Sequence, residues 1–160
     1  MIIRLMSFDV SSVSTGFSFF LGGELDHCGI IESPQHHIYG IHEKLVYFKR
    51  EVEKWFFLLK PNRIVIEDTY LKNVTTLKVL TQYIGVLQLA CGEIGIAPDF
   101  VSPNSVRSLF GVKTKEEAFE YVMNKYKVRL KKYHLTFENG NDITDSILQG
   151  LYWIKEKNNE

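Results

Sequence analysis

The sequence predicts an α/β domain built on a mixed, five-stranded sheet flanked by helices. Three observations point there. Short β-branched and aromatic runs crowd the N-terminal part of the chain. Two long stretches follow whose apolar residues recur at helical spacing. Each is succeeded by a short apolar run bounded by proline or a charged residue, so an all-strand opening gives way to alternating helices and strands.

The first strand is read from "IIRLMSFDV". "STGFSFFLG" and "GELDHCGIIES" follow, joined by a Gly22-Gly23 pair that signals a two-residue hairpin. These three runs make an antiparallel meander. Ile41, Leu45, Phe48, Val52, Trp55, Phe56 and Leu59 then mark a helix that Pro61 ends. "NRIVIED" is a fourth strand, and a second long helix runs from about Val74 to Ile94. On it Val74, Leu77, Leu80, Ile84, Leu87, Cys91 and Ile94 form one apolar stripe, and Val79, Tyr83, Val86 and Ala90 cover much of another side. A helix apolar nearly all round is expected to be buried on both sides. One side would face the sheet and the other a second copy of the chain, with Gly85 permitting close approach. "PDFVSP" is the fifth strand, and "NSVRSLFG" is a helical turn stopped by Gly111. "KTKEEAFEYVMNKY" is an amphipathic helix, capped by Thr114 with Glu117 closing a capping box. The last helix lies in "NGNDITDSILQGLYWIKEK", with Asn141 or Asp142 as its N-cap.

The 160 residues are expected to form a single domain spanning 1–160, with 45% apolar and 24% charged residues in ordinary globular balance. No stretch reads as long and apolar enough to span a bilayer, and the N-terminus lacks a signal-peptide pattern. Cys28 and Cys91 stand far apart with no CxxC spacing. That argues against a disulfide framework or a zinc site and suits a reducing, cytoplasmic location. His36-His37, after Pro34, reads as a solvated turn rather than a ligand pair.

Lys plus Arg equal Asp plus Glu at 19 each, which weakens the case for a generic nucleic-acid binder. The bases are nevertheless clustered. "YVMNKYKVRLKKYHL", residues 121–135, has no acid but holds Lys125, Lys127, Arg129, Lys131 and Lys132, with Tyr126 and Tyr133 between them. Such a run is a solvated face or a phosphate-contacting surface.

Asp9 ends the first strand and Glu67 ends the fourth. Either acid alone could simply mark the chain leaving the core. Crossover connections, however, would bring both strand ends to the sheet edge where α/β folds bind ligands. Asp142 and Asp145, three residues apart, share one face of the last helix. The helix dipole would favour acids in a first turn. Gathered together, four carboxylates would raise one another's pKa, and hard divalent cations with oxygen ligands resolve that conflict. The quartet therefore argues for Mg²⁺- or Mn²⁺-dependent phosphoryl chemistry, with two ions able to clamp a phosphodiester.

Four stretches, "SFDVSSVSTGFS", "IVIEDTYLKNVTTLKVLTQYIGVL", "FVSPNSVRSLFGVKTKEEAFEYV" and "NDITDSILQGLYW", together resemble the RuvC family of Holliday junction resolvases, within the ribonuclease H-like superfamily. They occur in the family's order over nearly the whole chain. The resemblance implies a homodimeric endonuclease that cuts four-way or branched DNA with Mg²⁺, or Mn²⁺ in its place. Asp9, Glu67, Asp142 and Asp145 would be its catalytic, metal-binding acids. It also implies that Tyr70 enters the junction and that Arg107 and Lys115 contact the backbone near the cut. Lys72, Lys113, Arg129, Lys131 and Lys132 are further candidate DNA contacts. The chain departs from the bacterial pattern at Val10-Ser11-Ser12, where those members carry glycine, and the stretch after Tyr70 is shorter. A phage or viral relative would fit these departures. Rival readings are a related nuclease acting on RNA or other DNA structures, a non-cutting branched-DNA binder, and an actin-like phosphotransferase. The last would need glycine-rich phosphate turns, and "DVSSVSTG" offers only Gly16.

Overall fold

The computed structural model describes residues 1–34, 39–68 and 74–158. Its strands are β1 (Arg4–Asp9), β2 (Ser14–Leu21), β3 (Glu24–Glu32), β4 (Arg63–Glu67) and β5 (Asp99–Val101). Its α-helices are α1 (Ile41–Leu59), α2 (Val74–Glu93), α3 (Pro103–Phe110), α4 (Lys115–Lys125), α5 (Lys127–Leu130) and α6 (Phe137–Asn158), with a 3-10 turn at Lys131–Tyr133.

The strands form one mixed sheet in the order β3-β2-β1-β4-β5. β1, β2 and β3 are the antiparallel meander. β4 lies parallel to β1, and β5 parallel to β4. Gly22 (φ 60) and Gly23 (φ 91) turn the hairpin that pairs Leu21 with Glu24. Both central residues need positive φ, which glycine adopts without a Cβ clash. The parallel pairing of β1 and β4 sets Asp9 and Glu67 at the same end of neighbouring strands, since Phe8 pairs with Ile66.

Side chains alternate across the sheet. Met6, Phe8, Phe17, Phe19, Ile64 and Ile66 belong to one core, closed by α1 and α2 through Phe48, Val52, Phe56, Tyr83 and Leu87. Leu5, Phe20 and Val65 belong to the other, closed mainly by α6 with Ile147, Leu148 and Trp153.

Four expectations change. α6 begins at Phe137, so Asp142 is not its N-cap and neither aspartate lies in its first turn. The start is organised instead by Thr136, whose N–H donates to Asn139 Oδ1 (2.8 Å) and whose carbonyl accepts from Gly140 N–H (2.9 Å). Gly140 lies inside the helix. A Cβ there would come within 2.9 Å of Leu135 Cβ, so the residue is small because the packing is close.

α2 differs as well. Tyr83, Ile84, Leu87, Ala90 and Cys91 all enter the chain's own core, so the two sequence stripes merge into one buried face. The outward face carries Lys78, Thr81, Gln82, Gly85, Gln88, Leu89 and Gly92. On length and composition α2 could cross a membrane, with 20 residues and a mean hydropathy of 1.2, contrary to the sequence reading. Five of its residues, Tyr83, Ile84, Leu87, Ala90 and Cys91, are buried in the core shared with the sheet and α1, while Val74 and Leu89 stay exposed. Lastly, Thr114 does cap α4 by accepting from Glu117 N–H (3.1 Å), but the Glu117 carboxylate takes the Lys113 N–H (2.6 Å) instead of closing the box.

Candidate active site

β1, β4 and α6 bring the four acids together. Asp9 and Glu67 lie on the α6 side of the sheet by alternation from Leu5 and Val65. α6 can approach because β2 presents Gly16 beneath it. A Cβ on Gly16 would lie 2.0 Å from the Asp142 carbonyl oxygen and 2.8 Å from Ile143 N. Gly16 is also the register partner of Asp9, so this close crossing sets Asp142 over the end of β1. Asp145 follows one turn along.

All four acids are partly buried. Burial raises the Asp9 carboxyl well above its ordinary value, and the charges of Glu67, Asp145 and Asp142 raise it further. Burial and the Asp145 charge push Glu67 up to about 7, against the opposing pull of Lys115, Gln149 and Arg107. Burial also raises Asp145, with Lys115 and Arg107 pulling the other way. Lys115 is itself raised: burial works against its charge, but Asp145, Asp9 and Asp142 outweigh it.

Three of the acids are held by individual partners. Ser14 Oγ donates to Asp142 Oδ2, and Gln149 Nε2 donates to Glu67 Oε2 at 2.9 Å. Lys115 Nζ stands 3.4 Å from Asp145 Oδ2. No three acidic, histidine or cysteine side chains among the described residues stand close enough to share one ion. The donor set still fits a hard divalent cation. It consists of carboxylate oxygens alone, and it carries more negative charge than Lys115 and Arg107 neutralise. The Ser14 and Lys115 contacts act on side chains that can turn, and the backbone already converges.

The loop before β2 is braced by hydroxyls. Ser11 N–H donates to Thr15 Oγ1 (3.1 Å), Thr15 Oγ1 donates back to Ser11 O (3.1 Å), and Val13 N–H donates to Ser11 Oγ (3.2 Å). This bracing delivers Ser14 to Asp142. Ser14 and Gln149 were not singled out from the sequence. Gln149 could have been, because it follows Asp142 and Asp145 at helical spacing.

The predicted DNA contacts divide by location. Arg107 lines the cleft with Glu67, Asp145 and Gln149, and Lys115 borders it. Lys113 is exposed just before α4. Arg129 is elsewhere: its Nη1 donates to Leu25 O on β3. Leu25 pairs with Phe20, and Phe20 with Leu5, four residues from Asp9 along β1. That is about 13 Å down the strands. Lys131 and Lys132 are exposed in the same segment, with Lys132 Nζ 4.9 Å from the centre of the Tyr133 ring. Tyr126 and Tyr133 pack against the α6-side core instead of standing free between the bases. Tyr70, Lys72 and His36-His37 lie outside the described residues.

No family model matches the sequence, and no curated protein sequence matches it. Solved structures do. The chain superposes on T. thermophilus RuvC in complex with a Holliday junction substrate with a TM-score of 0.76 at 13% identity, covering 96% of both chains. A second Thermus thermophilus RuvC structure gives 0.75 at 14% identity, over 97% of both. The yeast mitochondrial Holliday junction resolvase Ydc2 gives 0.69 at 13% identity, over 96% of this chain and 78% of the other. The architecture is therefore the ribonuclease H-like mixed sheet flanked by helices. Within that class, the fold is that of the RuvC-like resolvases.

Proposed function

We propose that the protein is an endonuclease that cuts four-way or branched DNA junctions by divalent-metal-dependent phosphodiester hydrolysis. The observation that carries this reading is the convergence of Asp9, Glu67, Asp142 and Asp145 between Arg107 and Lys115 on a resolvase fold. The four acids would hold Mg²⁺ or Mn²⁺, two ions per site. When bound, the ions supply charge neutralisation at the phosphate and a nucleophilic water at neutral pH. The protein's own part is positional. β1, β4 and α6 fix the carboxylates, while Arg107 and Lys115 draw the scissile phosphate against acids that would otherwise repel it. Lys113 would extend that contact, and Arg129, Lys131 and Lys132 would meet DNA further along an arm.

Asp145→Asn is expected to abolish Mg²⁺-dependent cutting of a labelled four-way junction while leaving binding near wild type, because the basic side chains remain. Normal cutting by Asp145→Asn would overturn the assignment of the site. Linear duplex and RNA run alongside test the substrate, and cleavage of either in preference to the junction would redirect it.

Symmetric nicking of two strands calls for a homodimer, and we assign its contact to the outward face of α2. Gly85 and Gly92 are open to solvent there, and Leu89 is 56% exposed between them. Leu89→Lys should give a monomer in sedimentation at micromolar concentration and leave the fold intact. A variant that still dimerises removes α2 from the interface. Leu87, 0% exposed, is the wrong residue for this test because it faces the core.

A further inference from the structure

Gln149 is 1% exposed and sits on the α6 face that carries Asp142 and Asp145. Its Nε2 donates to Glu67 Oε2 at 2.9 Å, and its Oε1 accepts from Ser7 Oγ at 3.4 Å. One amide thus ties together β1, β4 and α6, the elements that supply the acids. A buried polar side chain is costly unless its partners are supplied, and leucine at this position would pack against the sheet without needing any. The particular chemistry of the amide also matters. It offers a hydrogen-bond donor to a carboxylate and adds no charge. Glutamate would add a negative charge to the conflict that already raises Asp9 and Glu67, and lysine would bring a cation into competition with a metal ion.

The other two brackets differ in kind. Lys115 is 52% exposed, so its ion pair with Asp145 is screened by solvent and can give way. The Ser14 hydroxyl is only partly buried and can rotate. Gln149 is held by the core on α6 and by Ser7 beneath it, so it keeps its orientation.

We propose that Gln149 is a positioning residue for ion binding: it fixes the Glu67 carboxylate by donating to one oxygen, leaving the other to face a divalent cation. The inference rests on reading the four acids as an ion site. Outer-shell donors of this kind typically contribute about 10–100-fold to metal affinity when they orient a ligand.

The test is calorimetric titration of metal-free protein with Mn²⁺, alongside thermal melting and ion-free junction binding. Gln149→Leu should weaken Mn²⁺ binding about 10–100-fold. Junction binding should hold, and raised Mn²⁺ should restore cutting. Because that change leaves Ser7 without its acceptor, Ser7→Ala/Gln149→Leu is run beside it. The double variant removes both polar partners and should show the same loss of affinity with a melting temperature nearer wild type. Unchanged Mn²⁺ affinity in both variants, whatever happens to the melting temperature, overturns the proposal. Glu67→Gln separates the two levels. If it weakens Mn²⁺ binding and the Gln149 variants do not, only the positioning role fails. If Glu67→Gln also leaves binding unchanged, the ion site itself fails.

Discussion

On the face covered by α1 and α2, β1 and β2 present Met6, Phe8, Phe17 and Phe19, all buried and apolar. On the face covered by α6, the same two strands present Leu5, Ser7 and Asp9, and Phe20, Ser18 and Gly16. The first face stays large and apolar throughout and holds several ring pairs: Phe17 and Trp55 have centroids 4.7 Å apart, and Phe48 and Tyr83 5.1 Å. The second changes along its length, from large apolar side chains through small polar ones to acids. Ser18 Oγ bonds to Ser146 O at 3.0 Å, and Gly16 touches α6 backbone. Small residues bring the helix down onto the sheet where the carboxylates meet. The α1/α2 side supplies packing, and the α6 side gives up packing to build a cleft.

The largest effect should come from breaking the packed face. Phe8→Ala removes a side chain that is 0% exposed and touches Phe17 and Phe56. A loss of ~3–5 kcal/mol in denaturant unfolding is expected. Well below its melting temperature, the variant should still bind divalent ions, because the ring points away from the acids. Loss of ion binding by a folded Phe8→Ala protein would mean that the two faces are not separable.

Gly16→Ala reverses that balance. The added Cβ would meet the Asp142 carbonyl at 2.0 Å, and backbone cannot rotate away, so α6 must lift. Overpacking of this kind costs ~1–3 kcal/mol. The catalytic loss should be proportionally greater, since a displacement of about 1 Å can cost ~10²-fold in rate. Junction cutting assayed beside a thermal melt checks this, and a folded variant with full activity would show that α6 has slack to spare.

The same contrast explains what could be read in advance. An apolar strand that ends in an acid marks its last residue, so Asp9 and Glu67 stood out, as did Asp142 and Asp145 at helical spacing. The hairpin was legible because Gly22-Gly23 has one common geometry between strands. Other features depend on distant partners. The spacing of Gln149 from Asp142 and Asp145 marks its helix face, but its partner Glu67 is known only once β4 lies beside β1. Counting stripes on α2 could not say which side would meet a partner: Leu87, inside a stripe, is enclosed by α1 and the sheet, and Leu89, in neither stripe, is left exposed. The start of α6 was placed too late because Asn141 and Asp142 are good N-cap residues, whereas the helix begins at Phe137 and Gly140 lies inside it, crowded by Leu135 and Phe119.

The smallest expected effect concerns the charge conflict in the cleft. In the metal-free fold the Glu67 carboxyl is raised from 4.5 to about 7, first by burial and then by Asp145. The folded protein therefore holds this proton more tightly than the unfolded chain does. Its stabilising contribution is complete below the unfolded value of 4.5 and disappears as pH rises through about 7. Asp9 and Asp145 are raised as well and act in the same direction. In chelator-treated buffer the melting temperature should fall across that window. Glu67→Gln should flatten the fall, with a difference of about 2–6 °C at the upper end, given ~2–4 °C per kcal/mol for a domain of this size. A divalent ion should remove the slope from the other side, because it stabilises the ionised carboxylates that burial penalises. The packed face has no part in this, so Phe8→Ala should lower the whole melting curve without changing its slope with pH. A wild-type melting temperature that rises between 4.5 and 7 without metal, with Glu67→Gln following in parallel, would mean that the carboxylates are not in conflict and that the cleft costs the fold nothing.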